Sequence, residues 1–292
     1  MKAWYRGEIQ DAEQLRISVL DHGLLYGDGV FEGIRITQGR VFCLDAHLQR
    51  LFRSAQSIGL DIGKEPGEIR EIVLNTAAAF ARKEAYVRIL VTRGPGPLGL
   101  DPTLCQAPEL ICLVAELRLF NDAQAGVSLM TSSYRRNRSD MVDPQVKSLN
   151  YLNNVLAKRE AVLNGYDDAL MLNESGHVVE ASGANIFAVI DGKLKTPPTS
   201  DGALPGITRG ALIELAEDIG GVTETSLTRY DILHADEVFL CGSAAGVVIV
   251  RSVDKLNMQR TEQKITGNLF REVQHYVSKV GIAVLPELSL IR

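Results

Sequence analysis

The sequence is short of cysteine and has neither a basic run nor a long apolar stretch, and each shortage removes a class of function. Its four cysteines, Cys43, Cys105, Cys112 and Cys241, stand far apart or inside apolar runs, with no C-x-x-C pair and no histidine at metal-ligand spacing. That argues against a disulfide framework and the common zinc motifs, so all four read as reduced core or near-core residues and no metal is expected. Lysine and arginine total 31 against 36 acidic residues, a formal net charge of -5 without a block of like charges. Nucleic acid or an anionic membrane surface would need a concentrated basic footprint, so small molecules are the expected partners. The opening MKAWYRGEIQDAEQ lacks a charged-then-apolar leader, and aliphatic runs such as Leu110 to Ala115 are too short to cross a bilayer. A cytoplasmic location is expected.

What the chain does have is 46% hydrophobic and 23% charged residues over 292 positions, the make-up of a globular protein long enough for two domains. No internal repeat appears, so organisation is read from periodicity. Trp4 to Ile9 and Val30 to Thr37 read as hairpin-like strands. Asp45 is placed to cap a helix with Leu48, Leu51, Ala55 and Ile58 on one face, and a second helix is expected over about Gly67 to Arg82. Tyr86 to Thr92 and Leu110 to Glu116 are apolar, β-branched stretches that read as buried strands.

A polar stretch at Leu119 to Gly126, the strand Val127 to Ser133 and the polar Tyr134 to Pro144 mark a boundary. Beyond it, Leu149, Leu152, Val155, Leu156, Val162 and Leu163 recur at helical spacing, and Gly165 favours a left-handed stop. Strands come next at Asp168 to Leu172 and Asn185 to Ile190, with a hairpin at Asp191-Gly192 and a helix from about Thr208 to Ile219. Further strands lie near Glu237 to Cys241 and Val247 to Val250. The reading is a two-domain mixed α/β protein: residues 1–120 an N-terminal α/β domain, 121–144 a linker and loop, 145–292 a second domain holding Lys147.

One motif misleads. The run from Gly94 to Gly99 fits G-x-G-x-x-G after a strand, but Pro102 and Pro108 interrupt the next segment, so no helix N-terminus is available for a pyrophosphate. It reads as a turn-rich loop.

Lys147 is the candidate nucleophile. In VKSLNY, Val146 to Tyr151, it stands where an apolar stub meets a helix with a buried face. A lysine held against apolar surface loses solvation of its charged form and becomes a neutral nucleophile more easily.

The segment KSLNYLNNVLA, Lys147 to Ala157, resembles the cofactor-lysine segment of the fold-type IV pyridoxal-phosphate enzymes, the class IV aminotransferases. Five further segments match in order: DHGLLYGDGVFEGIR (Asp21 to Arg35), HLQRL (His47 to Leu51), VEASGANIF (Val179 to Phe187), LPGITR (Leu204 to Arg209) and GSAAG (Gly242 to Gly246). Six ordered matches are specific where any one is weak. The resemblance implies a smaller N-terminal α/β domain, a larger C-terminal pseudo-barrel domain, pyridoxal 5'-phosphate as cofactor and a homodimer or higher homo-oligomer.

The resemblance also implies roles. Lys147 forms the Schiff base with the cofactor and, once displaced by substrate, moves a proton between substrate and cofactor carbons. Glu180 faces the ring nitrogen, where a carboxylate favours the protonated form. Tyr151, one helical turn after Lys147, reaches the ring oxygen or Schiff-base region. Arg50, Ser243 and the amides of Gly206, Ile207 and Thr208 hold the phosphate, with Leu204 opening that segment. The amides of Ala244 and Ala245, with Tyr86 and Arg88 nearby, take the substrate carboxylate. Tyr26, Phe31 and Tyr134 wall an apolar pocket beside Gly33, and Arg88 meets the second carboxylate of glutamate.

Within the class, the FEGIR and YVR segments, with TRG at Thr92 to Gly94 and LGLDP at Leu98 to Pro102, look like branched-chain aminotransferases. The Lys147 to Tyr151 spacing is closer to D-amino-acid aminotransferases and 4-amino-4-deoxychorismate lyases, but the R-x-H carboxylate trap of the D-amino-acid enzymes is absent from Gly96 to Leu100. The expected activity is transamination between L-branched-chain amino acids and 2-oxoglutarate, serving branched-chain amino-acid biosynthesis. The rival readings are those two activities and a non-catalytic binding scaffold.

Overall fold

The computed structural model describes residues 1–117, 126–258 and 264–284. The chain divides into two compact units, one of Met1–Arg118, Val146–Asn150 and Val277–Arg292, the other of Leu119–Gln145 and Tyr151–Tyr276.

The first unit opens with β1 (Lys2–Tyr5) and β2 (Glu8–Asp11), joined at Arg6-Gly7, where both residues take positive φ as a tight hairpin turn requires. After α1 (His22–Tyr26) come β3 (Gly29–Thr37), β4 (Arg40–Val41), α2 (Leu44–Ser57), α3 (Pro66–Phe80), β5 (Ala85–Thr92) and β6 (Glu109–Ala115). Period-2 alternation in β3 sends Val30, Ile34 and Ile36 into a core with Leu48, Leu51 and Ala55 of α2 and Ile69 and Val73 of α3. Phe31 and Gly33 therefore lie on the other face, as do Tyr86 and Arg88, because Gly33 pairs with Arg88 and Arg35 with Tyr86. Helix α2 starts one residue before Asp45: Cys43, in a left-handed conformation, is its N-cap, and Asp45 sits in the first turn within reach of Arg70. The Gly94 to Gly99 loop leads to a short 3-10 turn and then β6, with no helix.

The second unit begins with β7 (Val127–Arg135) and α4 (Leu152–Leu163). It continues through β8 (Asp168–Leu172), β9 (His177–Ala181), β10 (Asn185–Ile190), β11 (Lys193–Thr196), α5 (Ile207–Leu215), β12 (Val222–Glu224), β13 (Leu227–Thr228), α6 (Arg229–His234), β14 (Glu237–Gly242), β15 (Gly246–Val253) and β16 (Leu256–Asn257). Hydrogen-bonded neighbours run β10-β14-β15-β7-β8-β9, and β9 pairs again with β10, so six strands close into a ring. The pair that closes it is Glu180 with Asn185. Glu237, buried at the start of β14, accepts from the amides of Ile265 and Thr266 and so satisfies the start of α7 (Lys264–Val280), a helix absent from the sequence reading. After α7, β17 (Ile282–Ala283) pairs with β4, completing a seven-stranded antiparallel sheet in the first unit.

The units depart from the expected domain boundaries in two places. Val146–Asn150, expected to open the second domain, belongs to the first unit: Ser148 bridges antiparallel to Val30, the Phe31 amide donates to the Lys147 carbonyl at 2.9 Å, and the Leu149 amide to the Gly29 carbonyl at 2.9 Å. Of the expected linker 121–144, residues 121–125 lie outside the described residues, and the strand expected at Val127 to Ser133 runs two residues further, to Arg135, as part of the barrel.

Two helices also differ from their pattern. Helix α4 begins at Leu152, and its buried face is Asn154, Ala157 and Ala161, packed on Ala169 and Met171 of β8, while Leu152 (68%) and Val162 (54%) are exposed. Small side chains let the helix come close to the strands. Helix α5 stops at Leu215 and a 3-10 turn, Glu217–Ile219, replaces its expected last turn. Among the described residues, no helix is long and apolar enough to cross a membrane and no cluster of His, Cys, Asp or Glu is suited to a metal.

Candidate active site

In the first unit the candidate residues gather on both faces of β3. Lys147 is not helical, so the expected one-turn relation to Tyr151 does not hold; it sits in the bridging segment beside β3. Its carbonyl takes the Phe31 amide, its own amide donates to Ser54 Oγ at 3.1 Å, and its Nζ lies 4.5 Å from the centroid of the Phe31 ring. The Arg88 guanidinium is also 4.5 Å from that ring and donates to Tyr86 Oη at 3.1 Å. Phe31 thus contacts two basic side chains, and the Arg88 guanidinium is stabilised by the ring's negative face. A Cβ on Gly33 would overlap the Tyr86 hydroxyl, so glycine is what allows Tyr86 to lie over β3. Tyr26, in α1, stands apart from this group: it is half-exposed and its hydroxyl accepts from the Gly99 amide at 2.9 Å.

On the opposite face of β3, Glu32 is fully buried among aliphatic residues. Arg50 donates to it through Nε at 2.7 Å and Nη2 at 2.9 Å, and His47 Nδ1 lies 2.7 Å from Oε2. Burial alone would push the Glu32 carboxyl up, but the hydrogen bonds and charges of His47 and Arg50 outweigh it and hold it at about 2. Burial pushes His47 below its ordinary range, so at neutral pH Arg50 carries the positive charge and His47 is a neutral donor. Glu32 and His47 occur in the matched segments, but their pairing needed the parity of β3 and the 3.6-residue repeat of α2.

In the second unit the group centres on Glu180, buried at the barrel seam. Arg136 Nη2 lies 2.8 Å from its Oε1, while the Asn185 side-chain amide and the Leu204 backbone amide each donate to Oε2 at 3.1 Å. Arg136 is anchored in turn by Asn154 Oδ1 at 2.8 Å. Nothing in the sequence reading singled out Arg136 or Asn154. The first lies in the polar stretch Tyr134 to Pro144, and the second stands among apolar residues whose helical spacing points to a different buried face.

Leu204 leads into Gly206, the N-cap of α5, where a Cβ would overlap the Asn185 side-chain oxygen. Thr208, in the first turn, is 3% exposed and its Oγ1 has no hydrogen-bond partner. A buried orphan hydroxyl beside first-turn amides that lack intrahelical acceptors is the chemistry that receives an anion. Ser243, Ala244 and Ala245 form the turn closed by the Gly242 and Gly246 pair, all half-buried. Tyr134 is half-exposed at the end of β7, and Tyr151 is the N-cap of α4.

Comparison with known proteins places these groups in a family. The family model described as amino-transferase class IV matches residues 29–253. The chain is 43% identical, over 98% of its length and all of the relative, to a Methanocaldococcus jannaschii protein whose name places it provisionally among branched-chain-amino-acid aminotransferases. It is 34% identical to the branched-chain-amino-acid aminotransferase of Escherichia coli K12, over 87% of this chain and 85% of that one. Among solved structures it resembles a branched-chain aminotransferase of Thermoproteus uzoniensis with norvaline: TM-score 0.89, 37% identity, 95% of this chain and 94% of that one. It also resembles a T.th. branched-chain amino acid aminotransferase complexed with N-(5'-phosphopyridoxyl)-L-glutamate: TM-score 0.88, 33% identity, 98% of this chain and 96% of that one. A match over most of the chain, with the quoted segments carried in order by both units, makes this protein a member of the class IV aminotransferase family.

Proposed function

We propose that the protein exchanges amino groups between L-branched-chain amino acids and 2-oxoglutarate, with pyridoxal 5'-phosphate held covalently by Lys147. The observation that carries this reading is the setting of Lys147: a half-buried amine on a segment fixed through its carbonyl, its amide and the two residues that follow it, Ser148 and Leu149, with Nζ over an aromatic ring. A fixed backbone gives the amine one place to react from.

When bound, pyridoxal phosphate supplies a protonated aromatic ring that stabilises negative charge at the amino-acid α-carbon. Glu180 holds the proton at the ring nitrogen, and its three donors fix the plane of the carboxylate. Thr208 Oγ1, the Ile207 and Thr208 amides, Arg50 and Ser243 hold the phosphate; the orphan hydroxyl of Thr208 is the feature that fits it. Tyr151 is assigned the ring oxygen. Lys147 Nζ would be the group that takes up and returns the substrate's α-proton.

The Ala244 and Ala245 amides take the α-carboxylate, with small side chains permitting close approach. Phe31 and Gly33 are assigned to the side-chain pocket, a role also assigned to Tyr134, while Tyr26 stands apart from Phe31 and Gly33 with its hydroxyl on the Gly99 amide. Arg88, steadied by Tyr86, meets the second carboxylate of glutamate, the amino acid within the phosphopyridoxyl ligand of the similar solved structure. A homodimer is the proposed assembly, supported by the exposed Val19, Leu98 and Leu100 of the first unit.

Borohydride reduction followed by peptide mapping should place the cofactor on Lys147. L-Leucine should turn over with 2-oxoglutarate, and Lys147→Ala should abolish turnover. Labelling at another lysine, or faster turnover of D-alanine than of L-leucine, would overturn the reading.

A further inference from the structure

We infer that Glu32 is a positioning residue for Arg50, holding the guanidinium plane so that it presents a fixed edge to the cofactor phosphate. The inference rests on the proposal that Arg50 meets that phosphate.

Glu32 occupies a position where β-strand parity calls for an aliphatic side chain, between Val30 and Ile34 on the face packed by α2. A carboxylate there costs desolvation free energy and survives only with its donors in place. Those donors approach from several directions: Arg50 side-on through Nε and Nη2, His47 through Nδ1, and the Gly33 amide at 3.2 Å. A side-on fork leaves the guanidinium no rotation about its own axis, so the edge carrying Nη1 points away from Glu32 in one direction.

The same helix face adds a second constraint. His47, Arg50 and Ser54 recur at spacings of three and four residues along α2, and Ser54 Oγ accepts from the Lys147 amide. Glu32 fixes the orientation of Arg50 on the helix that also anchors the Lys147 backbone. The cofactor's covalent anchor and the proposed phosphate cation are thereby set at a constant spacing.

The test compares equilibrium binding of pyridoxal 5'-phosphate and of pyridoxal, which lacks the phosphate, to the full-length apo chain. Glu32→Gln should shrink the wild-type preference for the phosphorylated form about tenfold, the loss of one well-aimed charged contact, and leave pyridoxal affinity unchanged. Glu32→Asp, which keeps the charge but retracts it by one methylene, should shrink the preference too, and serves alone if the glutamine variant does not fold.

An unchanged preference overturns the inference, as does equal weakening of both vitamers. An increased preference also overturns it, because Glu32 would then act only as a counter-charge that dilutes Arg50. Arg50→Met separates this inference from the reading beneath it. If that variant keeps the preference, Arg50 does not meet the phosphate and both fall; if it loses the preference while the Glu32 variants keep it, only the positioning role falls.

Discussion

The two units treat their buried acids in opposite ways. In the first, Glu32 faces a guanidinium fork through both of its oxygens, with His47 closing one side, so the acid orients the base. In the second, Arg136 reaches Glu180 through one oxygen and spends another N–H on Asn154, while neutral amides from Asn185 and Leu204 hold the other oxygen. There the base and its neighbours orient the acid. The difference lies in whether the base meets the acid through a two-nitrogen fork, as Arg50 does, or through one nitrogen with neutral amides on the other oxygen, as around Glu180.

The largest effect should come from removing the cation at Glu180. Arg136→Met leaves a buried carboxylate uncompensated and should destabilise the fold by about 3–5 kcal/mol in denaturant titrations. Adding Glu180→Gln to that variant should restore part of the loss, because the stranded charge is gone. No recovery in the double variant would mean that the pair is not coupled and the contrast between the units fails.

Glu180→Gln alone tests the chemical side of the contrast. It keeps the shape and most of the hydrogen bonds but removes the charge proposed to hold the ring proton, and should lower kcat for L-leucine by about 10²- to 10³-fold. Wild-type turnover in this variant would reduce Glu180 to a seam residue.

Acid sharpens the comparison from the other unit. Because Glu32 is held at about 2 against an ordinary 4.5, its contribution to stability is complete above pH 4.5, declines as pH falls toward 2 and is absent below. His47, kept neutral by burial, acts in the same sense: its contribution is lost as pH falls below its ordinary 6.5. Denaturation midpoints should therefore fall from neutral to acid pH, and Glu32→Gln should flatten the part between pH 4.5 and 2. An unaltered acid limb in that variant would show that other carboxylates govern it.

Local pattern revealed much of this and missed the rest for identifiable reasons. Strands β3, β5 and β6, helix α2 and the Asp191-Gly192 hairpin follow from alternation, helical spacing and turn chemistry, which are properties of neighbouring residues. The segments that carry the family resemblance included every residue of the Glu32, His47 and Arg50 group, but pairing is a tertiary fact. Arg136 was invisible because nothing in YRRNRSD distinguishes the buried arginine from its exposed neighbours. Helix α7 was overlooked altogether, its N-terminal donors being satisfied by Glu237, distant in sequence. The apolar period of α4 extends back to Leu149 and so puts Lys147 just before the helix's first turn, whereas the Leu149 amide in fact donates to the Gly29 carbonyl of β3.

Helix α4 is the sharpest case, and it gives the smallest expected effects. Apolar spacing pointed to Leu152, Val155 and Val162 as the buried face, yet all three are exposed and Ala157 and Ala161 lie against β8. In α2 the same spacing rule holds, with Leu48, Leu51 and Ala55 buried. The helices differ in what they pack on: α2 fills a deep core where leucines are needed, while α4 lies close to strands whose side chains leave room only for alanine. Ala161→Leu should therefore cost about 1–3 kcal/mol by overpacking, whereas Val162→Ser, one position away, should stay within about 0.5 kcal/mol. Thermal melts of both variants at matched concentration decide this. If the serine variant loses more stability than the leucine variant, Val162 is covered in the working assembly and α4 is an interface between copies of the chain.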